Sequence, residues 1–407
     1  RDVAPSRGLG DVYKRQITAL QNSVAHYYQR ASSADYLGVD PTRRSLTGTG
    51  GYVKVGRKGN AKWNFSETFT WSSPGFDLND MGYMKETDYL MNETEIMYRQ
   101  TDIWKIFRYN AFTLSQKNMW NYGGTPFSNN ASLRWQSMTM NRYEWDVKET
   151  FAWNWLDSRL LRGGPDVRFG SYFLTSAKFN TDKAKRMMFM LKYEGDHNFE
   201  GNRFNTISPS LTFRLGNHVY LSGQLDYAWN TDEMQYVATT SPLSSSSLAP
   251  YYYVMGHMDQ KTYGLTLKLQ VNVTPDISIQ FYGAPFTSIA KYDDFKLAAD
   301  TKSHTFENRF QRIDPDQLTY ADGVYTIGEG AGQMPFRNPD FRFNEFRSNL
   351  VARWEYLPGS TLYFVWEHRM SNRDNWYSSG WGSNLDRMWG LPATNTFMIK
   401  MNYWFNL

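Results

Sequence analysis

Apolar and polar residues alternate with a period of two along most of this chain. From 142 to 155 the odd positions read Tyr143, Trp145, Val147, Glu149, Phe151, Trp153 and Trp155. The even positions read Arg142, Glu144, Asp146, Lys148, Thr150, Ala152 and Asn154, so only Glu149 interrupts the apolar face. From 219 to 230, Val219, Leu221, Gly223, Leu225, Tyr227 and Trp229 oppose Ser222, Gln224, Asp226 and Asn230. From 262 to 273, Tyr263, Leu265, Leu267, Leu269, Val271 and Val273 oppose Thr262, Thr266, Lys268, Gln270 and Asn272. Successive side chains of a strand point to opposite faces, so each segment predicts a strand with one apolar and one polar side.

Such segments recur from about residue 50 to the C-terminus and predict about 15–16 strands. They run about 11–15 residues, against roughly 5–6 for strands of soluble domains, and a tilted membrane crossing needs about 9–11. Connections alternate as well. Short turns are expected at 57–60, 140–141, 180–183, 216–217, 274–276 and 358–359. Longer loops are expected at about 73–85, 118–127, 156–166, 231–250, 291–340 and 372–394. Short turns at one end and long loops at the other are the habit of transmembrane barrels. The predicted fold is therefore all-β, a transmembrane antiparallel up-and-down β-barrel. Counting from a first strand at 50–57 gives an odd number of strands, so the barrel is expected to be incomplete at its N-terminus.

Composition sharpens this picture. Aromatic residues make up 17% of the 407 residues, yet the mean hydropathy is −0.62. Rings interleaved with polar residues suit a wall with lipid on one side and water on the other. The chain has no cysteine, which excludes thiolate metal sites, a cysteine nucleophile and disulfides. Its net charge of +4 and the lack of a basic run give no sign of nucleic acid as a partner.

The domain reading has three parts. Residues 1–16 resemble a translated read-end artefact of metagenomic assembly, are expected to be disordered and are set aside. Residues 17–49, where Ile17, Leu20 and Val24 have helical spacing, are expected to form part of an external loop. Residues 50–407 form the barrel, with 291–340 as its longest external loop. The last strand puts Phe397, Ile399, Met401, Tyr403 and Phe405 on one face, resembling the C-terminal signal read by the barrel assembly machinery; Asn406 and Leu407 follow it, a departure from that signal.

Several irregular segments carry a resemblance of a different kind. They are His26-Tyr-Tyr-Gln-Arg30, Ser73-Pro-Gly-Phe-Asp-Leu-Asn-Asp-Met-Gly82, Arg162-Gly-Gly-Pro165, Gln280-Phe-Tyr-Gly-Ala-Pro-Phe286, Lys291-Tyr-Asp-Asp-Phe295, Asn338-Pro-Asp-Phe341 and Leu350-Val-Ala-Arg-Trp-Glu-Tyr-Leu-Pro-Gly-Ser-Thr-Leu362. Together they resemble the outer-membrane protein family of Bacteroidota type known as domain of unknown function 5916. The resemblance implies an outer-membrane location and, upstream, a domain similar to family 9 carbohydrate-binding modules, which this sequence lacks. Glycans would be partners only through that domain. The family has no defined activity, and no catalytic residue is carried over.

Candidate chemistry lies on the polar faces. Arg142, Glu144, Asp146, Lys148, Asp226, Lys268, Glu345, Arg347, Arg353, Glu355 and Lys400 are expected to line the lumen, as a rigidifying network of ion pairs or as the lining of a solute path. The six histidines lack the close spacing of a zinc site. His257 with Asp226 or Ser222 is a conceivable hydrolase arrangement without a supporting motif. The acids of 291–340 do not match the twelve-residue calcium loop, and Gly328–Gly332 lacks the Lys-Ser/Thr of a phosphate loop. No metal, cofactor or enzymatic activity is expected. The functional expectation is a channel or uptake component for hydrophilic, carbohydrate-related solutes. The alternatives are a plugged surface-binding barrel, a TonB-dependent receptor and a barrel hydrolase.

Overall fold

The computed structural model describes residues 7–30, 36–78, 82–243, 250–374 and 380–405, with side chains from 13 onward and without that of 381. A helix, α1 (Arg7–Gln21), precedes the first strand; it starts inside the stretch set aside as artefact. The strands are β1 (Gly50–Arg57), β2 (Trp63–Ser72), β3 (Tyr89–Gln100), β4 (Phe107–Trp120), β5 (Pro126–Thr139), β6 (Glu144–Trp153), β7 (Trp155–Asp157), β8 (Val167–Phe169), β9 (Tyr172–Asn180), β10 (Met187–Asn198) and β11 (Arg203–Leu215). There follow β12 (Val219–Thr240), β13 (Tyr252–Asn272), β14 (Ile277–Ala298), β15 (Phe310–Arg312), β16 (Leu318–Ala321), β17 (Val324–Ile327), β18 (Met334–Arg337), β19 (Phe341–Leu357), β20 (Ser360–Asp374), α2 (Trp381–Trp389) and β21 (Thr394–Asn402).

One antiparallel sheet dominates, in the order β1-β2-β3-β4-β5-β6-β9-β10-β11-β12-β13-β14-β19-β20-β21, with β15 paired to β14. The fold is all-β. Among the described residues no ladder joins β1 to β21, so the sheet is an open meander rather than a closed cylinder. Connections at one end are two to six residues long, such as the Pro358-Gly359 turn, where Gly359 takes φ 78. A type II turn needs that pairing, because proline presets the first central φ and glycine tolerates the positive one.

The registers turn the alternation into continuous rows. Phe65, Ile96, Leu114 and Leu133 are successive neighbours across β2–β5, and Glu149 then Thr175 extend the row. The adjacent row runs Ser66, Glu95, Ser115, Ser132 and Thr150. Burial is inverted between them. Leu133 is 57% exposed and Leu114 56%, whereas Ser132 is 5% exposed and Ser66 6%. Ser115 and Ser132 share a hydrogen bond of 2.6 Å. A second apolar row runs Phe213, Leu221, Leu269, Phe281, Leu350, Trp366 and Phe397. Glu149, the one acid in the apolar face, accepts a hydrogen bond from Thr175 Oγ1 at 2.7 Å. Among the described residues no helix is long and apolar enough to cross a membrane.

The structure changes several expected boundaries. β14 continues to Ala298, absorbing the start of the predicted 291–340 loop, and β12 continues to Thr240. The rest of that long segment is folded: β16, β17 and β18 form a three-stranded sheet. Ile327 and Phe336 from it pack on Val254, Met258, Ala290, Tyr292 and Phe295. Met255, which points to the other face of β13, packs with Leu161, Val167, Met234 and Phe310. The 118–127 loop shrinks to residues 121–125, and an unexpected short connection at 199–202 joins β10 to β11. β21 ends at Asn402, so Tyr403 and Phe405 lie beyond the ladder while Phe397, Ile399 and Met401 stay on it. Asn406 and Leu407 lie outside the described residues.

Candidate functional site

At the long-connection end, segments far apart in sequence meet over the polar face. After α1 the chain turns through His26, Tyr27 and Tyr28, all buried. Thr87 N donates to Ala25 O at 3.0 Å, and Thr87 Oγ1 donates to the same oxygen at 3.1 Å. His26 Nε2 lies 3.2 Å from Phe76 O, and its Nδ1 lies 3.1 Å from Ser23 Oγ. A carbonyl can only accept, so Nε2 carries a proton, and in the neutral ring Nδ1 then accepts from the serine hydroxyl. Burial pushes the His26 pKa below its ordinary value.

Asp88 sits at the centre of this docking. Its carboxylate pairs with Arg30, accepts from Tyr36 Oη at 2.6 Å and accepts from Tyr122 N at 3.1 Å. The side chains of Arg30 and Asp88 are 9% and 1% exposed. Burial, reinforced by the neighbouring carboxylate, pushes the Tyr36 phenol well above the usual tyrosine range. One carboxylate thus holds together the segment after α1, the β2–β3 connection and the β4–β5 connection.

A second lock joins the β6–β9, β10–β11 and β14–β19 connections. Arg309, 1% exposed, approaches both carboxylate oxygens of Glu200 at 2.8 Å, the bidentate geometry that suits a guanidinium. It also donates to Arg168 O at 2.8 Å and Ser303 O at 2.8 Å. Arg168 N donates to Thr301 O at 2.8 Å, and Thr301 Oγ1 donates to Asp166 O at 2.6 Å.

Beneath these segments lies a cavity of ≈ 1300 Å³, lined from the polar faces of β3–β5 and β9–β12 and by the β6–β9 connection. Tyr27, Phe127, Trp155, Phe169 and Tyr172 supply ring surface, and Trp155 and Tyr172 meet at 5.1 Å between centroids. Asp157, Asp196 and Asp232 supply negative charge; Arg159, Arg162 and Arg203 supply positive charge. Apolar walls with a few fixed polar groups are the ordinary makeup of a small-solute site. A smaller cavity of ≈ 770 Å³ at the short-turn end is lined by Arg108, Arg142, Glu144, Asp182 and Lys183.

The expected polar-face residues mostly engage one another. Asp146 pairs with Arg134, which also donates through Nε at 2.7 Å, and Glu144 pairs with Lys183. Glu345 Oε1 takes Arg347 at 2.8 Å and Arg369 at 2.9 Å. Arg353 meets Glu355 at 2.5 Å. Asp226 accepts from Ser208 at 2.6 Å and Gln224 at 2.9 Å. Lys148, Lys268 and Lys400 are exposed on the same face, Lys268 opposite Ser222 and Tyr282, Lys400 opposite Tyr363. Arg142 sits in the turn before β6, with φ 61, rather than on the wall. None of the eleven lies in the larger cavity's lining.

His257 does not reach Asp226. Its Nδ1 lies 3.1 Å from Glu233 and its Nε2 3.6 Å from Asp259. The loop acids are used locally: Asp294 pairs with Arg312, and Asp340 accepts from Tyr292 N at 2.7 Å. Among the described residues no group of three or more His, Asp or Glu side chains is arranged to hold a metal. Lys183 lies in the β9–β10 turn, off the ladders; Arg134 and Arg369, which face Lys148 and Arg347 across the ladder and sit one diagonal step from Asp146 and Glu345, were findable from the alternation. The Asp88 and Arg309 locks were not, because their partners lie 58 and 109 residues away.

No curated protein matches this chain. The family model described as Domain of unknown function (DUF5916) matches residues 15–407, which leaves most of the stretch set aside as artefact outside the match.

Proposed function

The chain belongs to the family described as Domain of unknown function (DUF5916), and from this premise we propose that its open sheet forms the wall of a β-barrel in the bacterial outer membrane, working as an uptake component for hydrophilic solutes. The inverted burial of its sheet carries the reading. Burying a leucine or phenylalanine side chain stabilises a fold by about 1.5–3 kcal/mol. The sheet forgoes that gain at Phe65, Ile96, Leu114, Leu133, Leu221, Leu225 and Leu267, all exposed, while small polar side chains are buried behind them. An apolar surface of that extent implies a covering apolar medium. Rings contribute to the same face near strand ends, as in Trp354 with Tyr356 at 6.0 Å and Trp63 with Tyr98 at 4.9 Å, where a membrane girdle would sit.

Solute would enter from the capped end into the ≈ 1300 Å³ cavity, where rings and charges of both signs favour an uncharged polar solute over a simple ion. A carbohydrate-related solute fits that description. Single-channel recording in planar bilayers tests the reading. Conductance steps reduced by added oligosaccharide support it; a folded, inserted and silent protein contradicts it. That silent outcome is what a second reading predicts, a closed surface-binding barrel. The two interlocking carboxylate–arginine locks over the cavity favour this alternative.

A further inference from the structure

The helix α2 takes no part in the cavity. It packs against β14, β19 and β20, and it does so on the apolar face. Phe346 shares a face of β19 with Leu350, a member of the second apolar row, and its ring meets Trp389 at 4.8 Å. Asn384 and Met388, one turn apart on the helix, are fully buried. Asn384 Oδ1 accepts from Arg342 Nη1 at 3.4 Å. Beneath the helix Arg342, 0% exposed, pairs with Asp374. The helix therefore covers the buried Arg342 and its partly exposed partner Asp374 on the mainly apolar side of the sheet. Leu385 is half-buried, Trp389 is 55% exposed, Asp386 is exposed, and the partly exposed Arg387 reaches back to Asp374 at 3.9 Å.

We propose that α2 is an interfacial helix whose Leu385–Trp389 edge enters the headgroup layer of the outer leaflet, the partner surface being lipid. The inference rests on the membrane reading above. Three features select lipid. Trp389 continues the belt formed by the exposed Phe364, Phe397 and Ile399 and by the half-buried Trp366, whose ring stacks on Phe397 at 6.1 Å. Tryptophan, with an apolar body and one N–H, concentrates at membrane–water boundaries. Nine residues, roughly 14 Å of helix, cannot cross a bilayer but can lie along it with an apolar edge down and charges up. Covering Arg342 and Asp374 also keeps two charges from facing lipid, where they are costly.

The absence of native cysteine makes single-cysteine spin labelling direct. Labels would be placed at Phe364→Cys in the belt, at Leu385→Cys, which retains Trp389, and at Asp386→Cys on the charged side. The protein in phosphatidylethanolamine–phosphatidylglycerol vesicles would be probed with oxygen and a water-soluble nickel complex. The expected result is relaxation dominated by oxygen at 364, comparable from both at 385, and dominated by nickel at 386. Nickel dominance at 385 with oxygen dominance at 364 would overturn the helix assignment alone. Nickel dominance at 364 would overturn the membrane reading and this inference with it. A mobile label at 386, showing that the helix is not held on the sheet, would also overturn it.

Discussion

Replacing Asp88 by alanine should release the segment after α1 from the cap. The substitution removes the acceptor for the Arg30 guanidinium, for Tyr36 Oη at 2.6 Å and for Tyr122 N at 3.1 Å. Both charged side chains are almost fully buried, so solvent screening gives little relief. Breaking a buried pair by deleting one partner costs about 3–5 kcal/mol, because the other charge stays desolvated. At about 1.4 kcal/mol per decade that shifts the docking equilibrium by roughly a hundredfold to several thousandfold. Hydrogen exchange of the Thr87 amide, which donates to Ala25 O at 3.0 Å, reads this opening directly. The exchange rate should rise by that factor while amides in the β12–β13 ladder stay protected. Arg30→Met combined with Asp88→Leu should lose less, since no buried charge is left alone. Wild-type protection of Thr87 in Asp88→Ala would refute the assignment of Asp88 as the organising carboxylate.

Other outcomes follow from the same physics. Burial lowers the folded-state pKa of His26 below its ordinary 6.5, so the unfolded segment binds the proton more tightly. Docking should therefore be pH-independent above 6.5 and weaken as pH falls below it, with His26→Gln flattening the dependence of Thr87 exchange between pH 7 and 5. Glu200→Ala leaves Arg309 buried and unpaired and should cost about 3–5 kcal/mol, visible as trypsin cleavage in the 299–312 segment; unchanged resistance would remove that lock from the account. Arg134→Ala should change stability by less than about 1 kcal/mol, since Arg134 and Asp146 are part-exposed and screened. A loss several times larger in a denaturant titration would contradict that.

The wall was legible in the sequence because a strand's periodicity is local. Tyr143 to Trp155 announces its two faces without reference to any partner, and the ladders then place Trp145 against Phe179 at 4.4 Å. Element ends were less legible. β14 runs on through Lys291–Ala298 past a register irregularity near Asp293, where Asp294 takes φ 44, and charge-rich residues there read as loop. The cap was not legible at all. Trp155, Asp157, Arg159 and Tyr172 surround the larger cavity, yet the eleven residues selected from alternation lie elsewhere. Alternation identifies which face a side chain occupies but not which connections fold back over that face. Tertiary partners such as Arg168 and Thr301, 133 positions apart and joined backbone to backbone, leave no periodic trace.

A sheet whose apolar face meets lipid should tolerate no charge there, and arginine substitution on that face reads this out. Leu133→Arg and Leu225→Arg place a charge at two exposed apolar positions. Equilibrium folding into phospholipid vesicles would be followed in a guanidinium titration for each variant and for the parent. The expected loss is about 2–4 kcal/mol at a position near the bilayer midplane, less toward the interfaces. Changes within about 0.5 kcal/mol at both positions, as expected of exposed sites in water, would contradict it.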